Sequence, residues 1–241
     1  MNPYESQALL DQYLLFHYGS ADEVLPYSVG PVTALEFPRR SVAENIDTSV
    51  PRERALDLGC AVGRSSFELS AFCSEVVGID LSEQFIKAAE HLRREGELTY
   101  HRLEEGKIST ELVARRPEQS RPERIRFEAG NALDISCRLG KFDVLHAANL
   151  LCRLPEPEQF LSTLQGFVAK DGLLILTTPC TWLGEFTRPE NWPIGPTGQW
   201  LEEKLSAKFN LLNFKDMPFL IREHARKYQW SVAQASVWQR R

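Results

Sequence analysis

The residues with the clearest chemical meaning lie at positions 55–66, which read ALDLGCAVGRSS. Gly59 and Gly63 carry no Cβ, so a ligand can approach the backbone of this turn closely. The spacing D-x-G-x-x-x-G differs from the G-x-G-x-x-G of dinucleotide-binding turns, because Ala61 replaces the middle glycine. Asp57 would repel a pyrophosphate, whereas it could orient the turn or bind an ammonium group. The pattern therefore favours S-adenosylmethionine over a dinucleotide.

Two further polar positions follow the next predicted strands. Asp80 ends the apolar run EVVGID, and an acid roughly 20 residues beyond a glycine turn can accept hydrogen bonds from both hydroxyls of a ribose. Asn131 follows the third predicted strand, where its side-chain amide could bind the adenine amine. The cofactor-binding candidates are Asp57, Gly59, Cys60, Gly63, Asp80, Leu81, Asn131, Ala132 and Asn149.

Polar and aromatic side chains after the later strands are candidates for binding a second ligand. Asn149 follows the fourth predicted strand, and the turn at 218–228 is dense in charged groups. Tyr13 and His17 lie one helical turn apart, so they share a face that either packs internally or closes a pocket. The ordinary alternatives are a solvated turn for His224, and surface charges, core aromatics or a helix cap for the others. The substrate-binding candidates are Tyr13, His17, Asn149, Arg153, Trp182, Arg222, Glu223, His224, Arg226 and Tyr228, and the catalytic candidates are His224 and Asn149.

Alternating strands and helices place these positions at one edge of a sheet. Hydrophobic periodicity predicts strands at 54–58, 75–80, 125–128, 142–147, 173–178, 211–214 and 230–239. It predicts helices at 5–18, 42–46, 64–72, 82–94, 158–168 and 197–208. This order is typical of an α/β protein with a parallel sheet and helices on both faces. In such sheets ligands bind beyond the carboxyl ends of the strands.

The chain reads as a single domain, 1–241, with two additions to the α/β pattern. Residues 1–50 form an N-terminal helical cap, punctuated by prolines. Residues 96–122 form a charged insertion, which we expect to be a hairpin joined at Gly106. A solvated insertion is the simplest interpretation of this segment, and a lid or a dimer contact is the alternative.

Composition excludes several classes of protein. The 33 acidic and 28 basic residues give a net charge of −5, which argues against a nucleic-acid binder. No apolar run approaches the roughly 20 residues that span a membrane, and the N-terminus lacks the features of a secretory signal. The five cysteines form no CxxC pair, so we expect reduced thiols, no metal site and a cytoplasmic location.

Several runs of the chain resemble the 5-thiohistidine N-methyltransferases of ovothiol biosynthesis, a family of class I S-adenosylmethionine-dependent methyltransferases. They are RALDLGCAVGRSSFEL, AANLLCRLP, LTTPCTWLGEFT and FLIREHARKYQWSVAQASVW. The resemblance implies a Rossmann-like sheet of about seven strands whose last strand is antiparallel. It also implies S-adenosylmethionine as cofactor, S-adenosylhomocysteine as product, and methylation of the imidazole ring of a small amino-acid substrate to give ovothiol A.

This substrate suggests roles for the polar turn at 218–228. Arg222 or Arg226 would bind the carboxylate, Glu223 or Asn149 the ammonium, and His224 the imidazole or the thiolate. Two other functions stay open, namely methylation of another small molecule and a non-catalytic cofactor-binding scaffold. Asp57 and the missing middle glycine disfavour a dinucleotide oxidoreductase. A homodimer is a further expectation.

Overall fold

Buried apolar runs form the strands of a central sheet in the computed structural model, which describes residues 3–241. The strands are β1 (Arg52–Leu58), β2 (Cys73–Asp80), β3 (Glu97–Glu105), β4 (Ile108–Arg115), β5 (Ile125–Ala129), β6 (Phe142–Ala148), β7 (Val168–Thr178), β8 (Phe209–His224) and β9 (Lys227–Arg240). The helices are α1 (Gln7–Tyr18), α2 (Ala21–Val24), α3 (Phe37–Ala43), α4 (Arg64–Ser70), α5 (Glu83–Glu95), α6 (Pro157–Phe167) and α7 (Thr197–Leu205).

Seven of these strands form one sheet in the order β5-β2-β1-β6-β7-β9-β8. The first five are parallel, while β9 is antiparallel to β7 and β8 is antiparallel to β9. The predicted α/β class, with about seven strands and an antiparallel last strand, is confirmed. Because the parallel strands run in one direction, the residues that follow β1, β2, β5, β6 and β7 meet at the same edge.

Alternate residues of the inner strands pack against helices on opposite faces of the sheet. Ala55 and Val76 belong to the core layer that contains Phe67 of α4 and Phe85 of α5. Leu56 belongs to the other layer, with residues of α6 and α7. The two core layers explain why these strands are apolar on both faces.

Most elements differ by a few residues from their predicted bounds, and the largest differences are at α3, β7 and β8. Helix α3 begins at Phe37 rather than near Val42, because Pro38 occupies its first turn, where a proline is well tolerated. Strand β7 begins at Val168 rather than at residue 173, directly after α6 ends at Phe167, and it runs through Asp171 and Gly172. Strand β8 has 16 residues, since the polar turn at 218–228 is itself a hairpin of extended strands.

Candidate functional site

A cavity of about 300 Å³ lies at the carboxyl ends of the parallel strands. Its floor comes from the glycine turn after β1 and from the first residues after β2, β5, β6 and β7. Helix α1 contributes Tyr13, Phe16 and His17, and α3 contributes Phe37 and Pro38. The cavity is therefore built by the parallel sheet and the N-terminal cap together.

The two glycines of the turn have different roles. Gly59 lines the cavity with φ +69°, and a Cβ on it would lie 3.1 Å from Leu150 Cδ1. Gly63 lies outside the cavity at the start of α4, with φ +89°. A Cβ on Gly63 would lie only 2.7 Å from Phe127 Cζ. The missing side chain of Gly63 thus makes room for Phe127, and a contact between Gly63 and a ligand stays a prediction.

Asp80 combines a structural task with free acceptor capacity. Its Oδ2 accepts a hydrogen bond from Ala61 N at 2.9 Å, and its Oδ1 accepts one from Ser82 N at 2.9 Å. Each carboxylate oxygen keeps a second lone pair for a ligand hydroxyl. Burial raises the pKa of this carboxyl, although the two backbone N–H groups oppose the increase. The arrangement fits the expected bidentate contact with a ribose.

The neighbouring lining suits a flat, mostly apolar group. Leu81 is 64% exposed at the edge of the cavity, next to the buried Ala132. Asn131 also lines the cavity, but its Oδ1 already accepts a hydrogen bond from Leu133 N at 2.9 Å. This oxygen keeps a second lone pair, so a contact with an adenine amine stays a prediction for Asn131. Burial raises the pKa of the Cys60 thiol, which keeps this lining residue neutral.

Helix α1 is fastened to the glycine turn. The Tyr18 hydroxyl donates a hydrogen bond to Val62 O at 2.7 Å, and Arg64 Nη1 donates one to His17 O at 3.0 Å. Tyr13 packs against Phe85 with ring centroids 4.8 Å apart. The aromatic cover of the cavity is thus fixed to the same turn that forms its floor.

His17 is a buried imidazole with an unsatisfied nitrogen. Its Nδ1 has no hydrogen-bond partner among residues 3–241, and its ring stacks on Tyr13 at a centroid distance of 5.9 Å. Burial, together with the nearby charge of Arg64, lowers the pKa of His17 to about 3. The ring is therefore neutral near pH 7, with one N–H donor and one acceptor nitrogen.

Arg153 and Asn149 are the expected substrate residues that line the sheet side of the cavity. Arg153 Nη1 donates to Thr181 O at 3.0 Å, and the guanidinium lies 4.8 Å from the centroid of Phe186. Asn149 has a left-handed backbone with φ +54°, and its Oδ1 accepts the Thr177 hydroxyl at 3.0 Å. Among the lining residues that the structure describes, Arg153 is the one arginine or lysine.

A polar relay that was not predicted from the sequence lies beneath the cavity. His146 Nδ1 donates to Asp57 Oδ1 at 2.8 Å, and His146 Nε2 lies 3.0 Å from Ser41 Oγ. The Ser66 hydroxyl donates to Asp57 Oδ2 at 2.6 Å. His146 and Asp57 both line the cavity, although each is only 1% exposed. The available signal was a histidine inside the apolar strand FDVLHAA, where a buried polar group needs partners.

Six expected substrate residues lie outside the cavity. They are Trp182, Arg222, Glu223, His224, Arg226 and Tyr228. Arg222 points to the other side of the β8–β9 hairpin, where it forms an ion pair with Glu104 and donates to Glu23 O at 3.1 Å. The assignment of Arg222 to a substrate carboxylate is therefore wrong, because its guanidinium is already bound.

The remaining five residues are occupied elsewhere or reach away from the cavity. Trp182 Nε1 donates to Thr197 Oγ1 at 3.1 Å. Glu223 pairs with Lys227 at 2.7 Å, and His224 Nδ1 accepts from Arg226 N at 3.2 Å. Gln229 and Ser231 of the same hairpin line the cavity instead. Gln229 and Ser231 are therefore hairpin residues at the site, and the charged residues of the sequence did not indicate them.

The structure also bears on metals and membranes. Among the residues described, no group of three or more His, Cys, Asp or Glu side chains could hold a metal ion. Within residues 3–241, no helix has the length and apolar character that crossing a bilayer requires.

Comparisons with known proteins identify the kind of domain. Residues 56–174 match the model of a family described as a methyltransferase domain. The sequence matches no curated protein. The N-methyltransferase NodS from Bradyrhizobium japonicum WM9, solved with S-adenosylhomocysteine, has a similar structure with a TM-score of 0.57 and 14% identity. The match covers 96% of this chain and 98% of NodS.

Two other solved structures show how widely the fold is used. Magnesium protoporphyrin IX methyltransferase (ChlM) from Synechocystis PCC 6803, with bound S-adenosylhomocysteine, gives a TM-score of 0.50 at 17% identity, covering 79% of this chain and 75% of ChlM. The [4+2]-cyclase SpnF gives 0.54 at 17% identity, covering 83% of this chain and 80% of SpnF. At these identities the likeness concerns the fold alone. The chain therefore has the fold of the Rossmann-like methyltransferases, and its residues 56–174 match a methyltransferase domain that indicates S-adenosylmethionine as cofactor.

Proposed function

We propose that this protein transfers a methyl group from S-adenosylmethionine to an imidazole nitrogen of 5-thiohistidine, giving ovothiol A. This reaction requires few catalytic groups, because methyl transfer depends mainly on holding the nucleophile at roughly 3–3.5 Å with its lone pair aligned. The cofactor supplies an activated methyl group. The protein must therefore bind two small molecules side by side and keep the accepting nitrogen unprotonated.

The residues after β1, β2 and β5 would hold the cofactor. Asp80 has acceptor capacity for two ribose hydroxyls, and Gly59 leaves space beside the backbone. Leu81 and Ala132 provide an apolar surface on which adenine would pack. These groups fit the S-adenosylmethionine that the domain match indicates.

The observation that carries the substrate assignment is the position of Arg153 beside an aromatic cover. Arg153 lines the cavity, and its N–H groups other than those on Nη1, which donate to Thr181 O and Cys152 O, would bind an amino-acid carboxylate in place of Arg222. Asn149 keeps its amide nitrogen unbonded within residues 3–241, so it can bind the thiolate of the substrate. The neutral ring of His17 can accept a hydrogen bond from the substrate imidazole.

The decisive experiment compares 5-thiohistidine with histidine as methyl acceptors. A site built around a polar substrate group can discriminate by roughly 10⁴-fold against an analogue that lacks it. We expect kcat/KM for 5-thiohistidine to exceed that for histidine by this order, with the thiol kept reduced. Comparable values would instead favour a methyltransferase for another small molecule.

Arg153→Ala tests the carboxylate contact. Loss of a charged hydrogen bond costs about 1.5–3 kcal/mol, so KM for 5-thiohistidine should rise roughly 10- to 100-fold. Decarboxylated 5-thiohistidine should bind the variant and the wild type equally. Arg226→Ala is the matched control, since Arg226 is exposed and outside the cavity. A rise in KM with Arg226→Ala alone would place the carboxylate at the hairpin.

A further inference from the structure

The hydrogen-bonded chain Ser66–Asp57–His146–Ser41 joins three parts of the protein that each line the cavity. Asp57 lies at the end of β1, two residues before Gly59. His146 lies on the neighbouring strand β6, paired in register with Asp57. Ser41 belongs to α3, the helix that supplies Phe37 and Pro38 to the cavity wall.

All four side chains of the relay are at most 1% exposed, and each polar atom has a partner. Removing so many polar groups from water is costly unless every one is bonded, so a buried network of this kind specifies one arrangement of its elements. The Ser41 hydroxyl also lies 2.9 Å from Pro38 O, which places the last member of the relay directly against the cavity wall.

A second hydroxyl ties the same wall to the glycine turn. Ser65, in the first turn of α4, donates to Pro38 O at 3.0 Å and itself lines the cavity. The carbonyl of Pro38 is thus held from the end of the turn by Ser65, while the single hydroxyl proton of Ser41 is donated to His146 Nε2. A movement of the turn on ligand binding would therefore be transmitted to α3 through the contact between Ser65 and Pro38.

We propose that His146 is a positioning residue that couples the glycine turn to α3, so that ligand binding at the turn orders the opposite wall of the cavity. Both of its nitrogens are engaged by Asp57 and Ser41, so it acts through these residues and touches no reacting atom as a base. The consequence is that the cofactor, once bound, would prepare the wall against which the second substrate packs.

The test uses S-adenosylhomocysteine alone and amide hydrogen exchange, so it does not depend on the identity of the methyl acceptor. In the wild type, the ligand should slow exchange both at the turn, residues 59–63, and at the amides of residues 39–45. In Ser41→Ala, the turn should still be protected, whereas the additional protection of residues 39–45 should fall about fivefold, the factor expected from one neutral hydrogen bond.

Ser70→Ala is the matched control. Ser70 is also 0% exposed, and its hydroxyl lies 2.7 Å from the carbonyl three residues before it, Phe67 O, as the Ser41 hydroxyl lies near Pro38 O, but Ser70 is outside the cavity. This variant should keep the wild-type pattern of protection. A loss of protection at residues 39–45 in Ser70→Ala equal to that in Ser41→Ala would overturn the relay in favour of general destabilisation.

His146→Gln is the second variant, and circular dichroism at 25 °C establishes that it is folded. It should reproduce the selective loss at residues 39–45 while the turn remains protected. The proposal is overturned if Ser41→Ala retains full ligand-induced protection of these residues, or if the ligand gives them no protection in the wild type. A failure of the 5-thiohistidine assay would leave every one of these outcomes unchanged.

Discussion

Asp80 shows how one carboxylate can serve the fold and a ligand at the same time. It holds the backbone N–H groups of Ala61 and Ser82, so it fixes the conformation of the turn before any ligand arrives. Ala61 has φ +48°, an uncommon conformation for a residue other than glycine, and the bond from its N–H helps to maintain it. The ligand site is therefore preorganised by the residue that would bind the ribose.

Asp80→Ala should weaken the binding of S-adenosylhomocysteine by about 1.5–3 kcal/mol, the range for hydrogen bonds to a charged group. Titration calorimetry measures this directly. Glu83→Ala is the control, because Glu83 is exposed in the adjacent helix and pairs with Lys87. Equal affinities of the wild type and Asp80→Ala would remove Asp80 from the site.

His17 makes stability depend on pH. Its pKa is about 3 in the folded protein, whereas an unfolded histidine has a pKa of about 6.5. Below pH 6.5 the unfolded chain binds a proton at this histidine, whereas the folded protein binds one only near pH 3. The free energy of unfolding is therefore highest with respect to His17 above pH 6.5, and it decreases as the pH falls from 6.5 towards 3. The slope is at most about 1.4 kcal/mol per pH unit.

Between pH 7.5 and pH 5.5, the free energy of unfolding of His17→Leu should therefore decrease by about 1 kcal/mol less than that of the wild type. Urea unfolding at the two pH values gives the comparison. His91→Leu, on the exposed side of α5, should keep the wild-type slope. If both variants behave like the wild type, His17 is protonated in the folded protein or is not buried.

At the scale of elements, the turn between β1 and α4 depends on Gly63 for packing. Gly63→Ala should destabilise the fold by about 1–2 kcal/mol for the left-handed backbone, and by a further 1–3 kcal/mol for the collision with Phe127. Gly106→Ala is the control, since Gly106 has φ +57° but nothing within 4 Å of a Cβ. Equal losses of unfolding free energy in the two variants would contradict a packing role.

The elements were more predictable than the side chains that they present. Apolar runs such as Leu173–Leu176 and the serine cap of α5 indicate strands and helices, because local propensity and tertiary packing agree there. The positions of the expected cofactor residues were also predictable, since they follow strands at recognisable spacings, and their role in binding stays a prediction. Asp80 and Asn131 both line the cavity as expected.

The substrate residues were less predictable because strand residues alternate between faces. In the β8–β9 hairpin, Phe219 and Ile221 face the cavity, so Arg222 faces away from it. A cluster of charges in sequence therefore does not show which charges share a surface. The relay through His146 was hidden for a different reason, since its partner Ser41 is more than 100 residues away in sequence.

At the scale of the whole molecule, the bonds of one buried arginine connect the N-terminal cap and the charged insertion to the sheet. Arg222 is 3% exposed, pairs with Glu104 of the charged insertion, and donates to the carbonyl of Glu23 in the N-terminal cap. Arg102 donates to the same carbonyl at 2.8 Å. Burial disfavours the charge of Glu104, but the hydrogen bonds and charges around it lower its pKa. The insertion is thus part of the structure that supports the cover of the cavity.

Arg222→Ala should lower the free energy of unfolding by about 1.5–3 kcal/mol, the range for a hydrogen bond to a charged group, because Glu104 loses its buried partner but keeps Arg102 and Thr110. Arg115→Ala, which removes an exposed ion pair of the same insertion, should cost at most about 1 kcal/mol. Chemical denaturation measures both. If Arg222→Ala were as stable as the wild type but bound the substrate less tightly, Arg222 would be a substrate-binding residue and not a structural one.

The contact between Arg222 and the carbonyl of Glu23 spans 199 positions of the chain. During synthesis, the segment that covers the cavity is made before the parallel strands, whereas the hairpin that holds it in place is made after them. Because contacts between distant residues form only when both partners exist, the parallel strands can pair before the cavity is covered. The ability to bind a ligand should therefore be acquired only after β8 and β9 have been made, and a nascent chain halted before β8 should hold no S-adenosylmethionine.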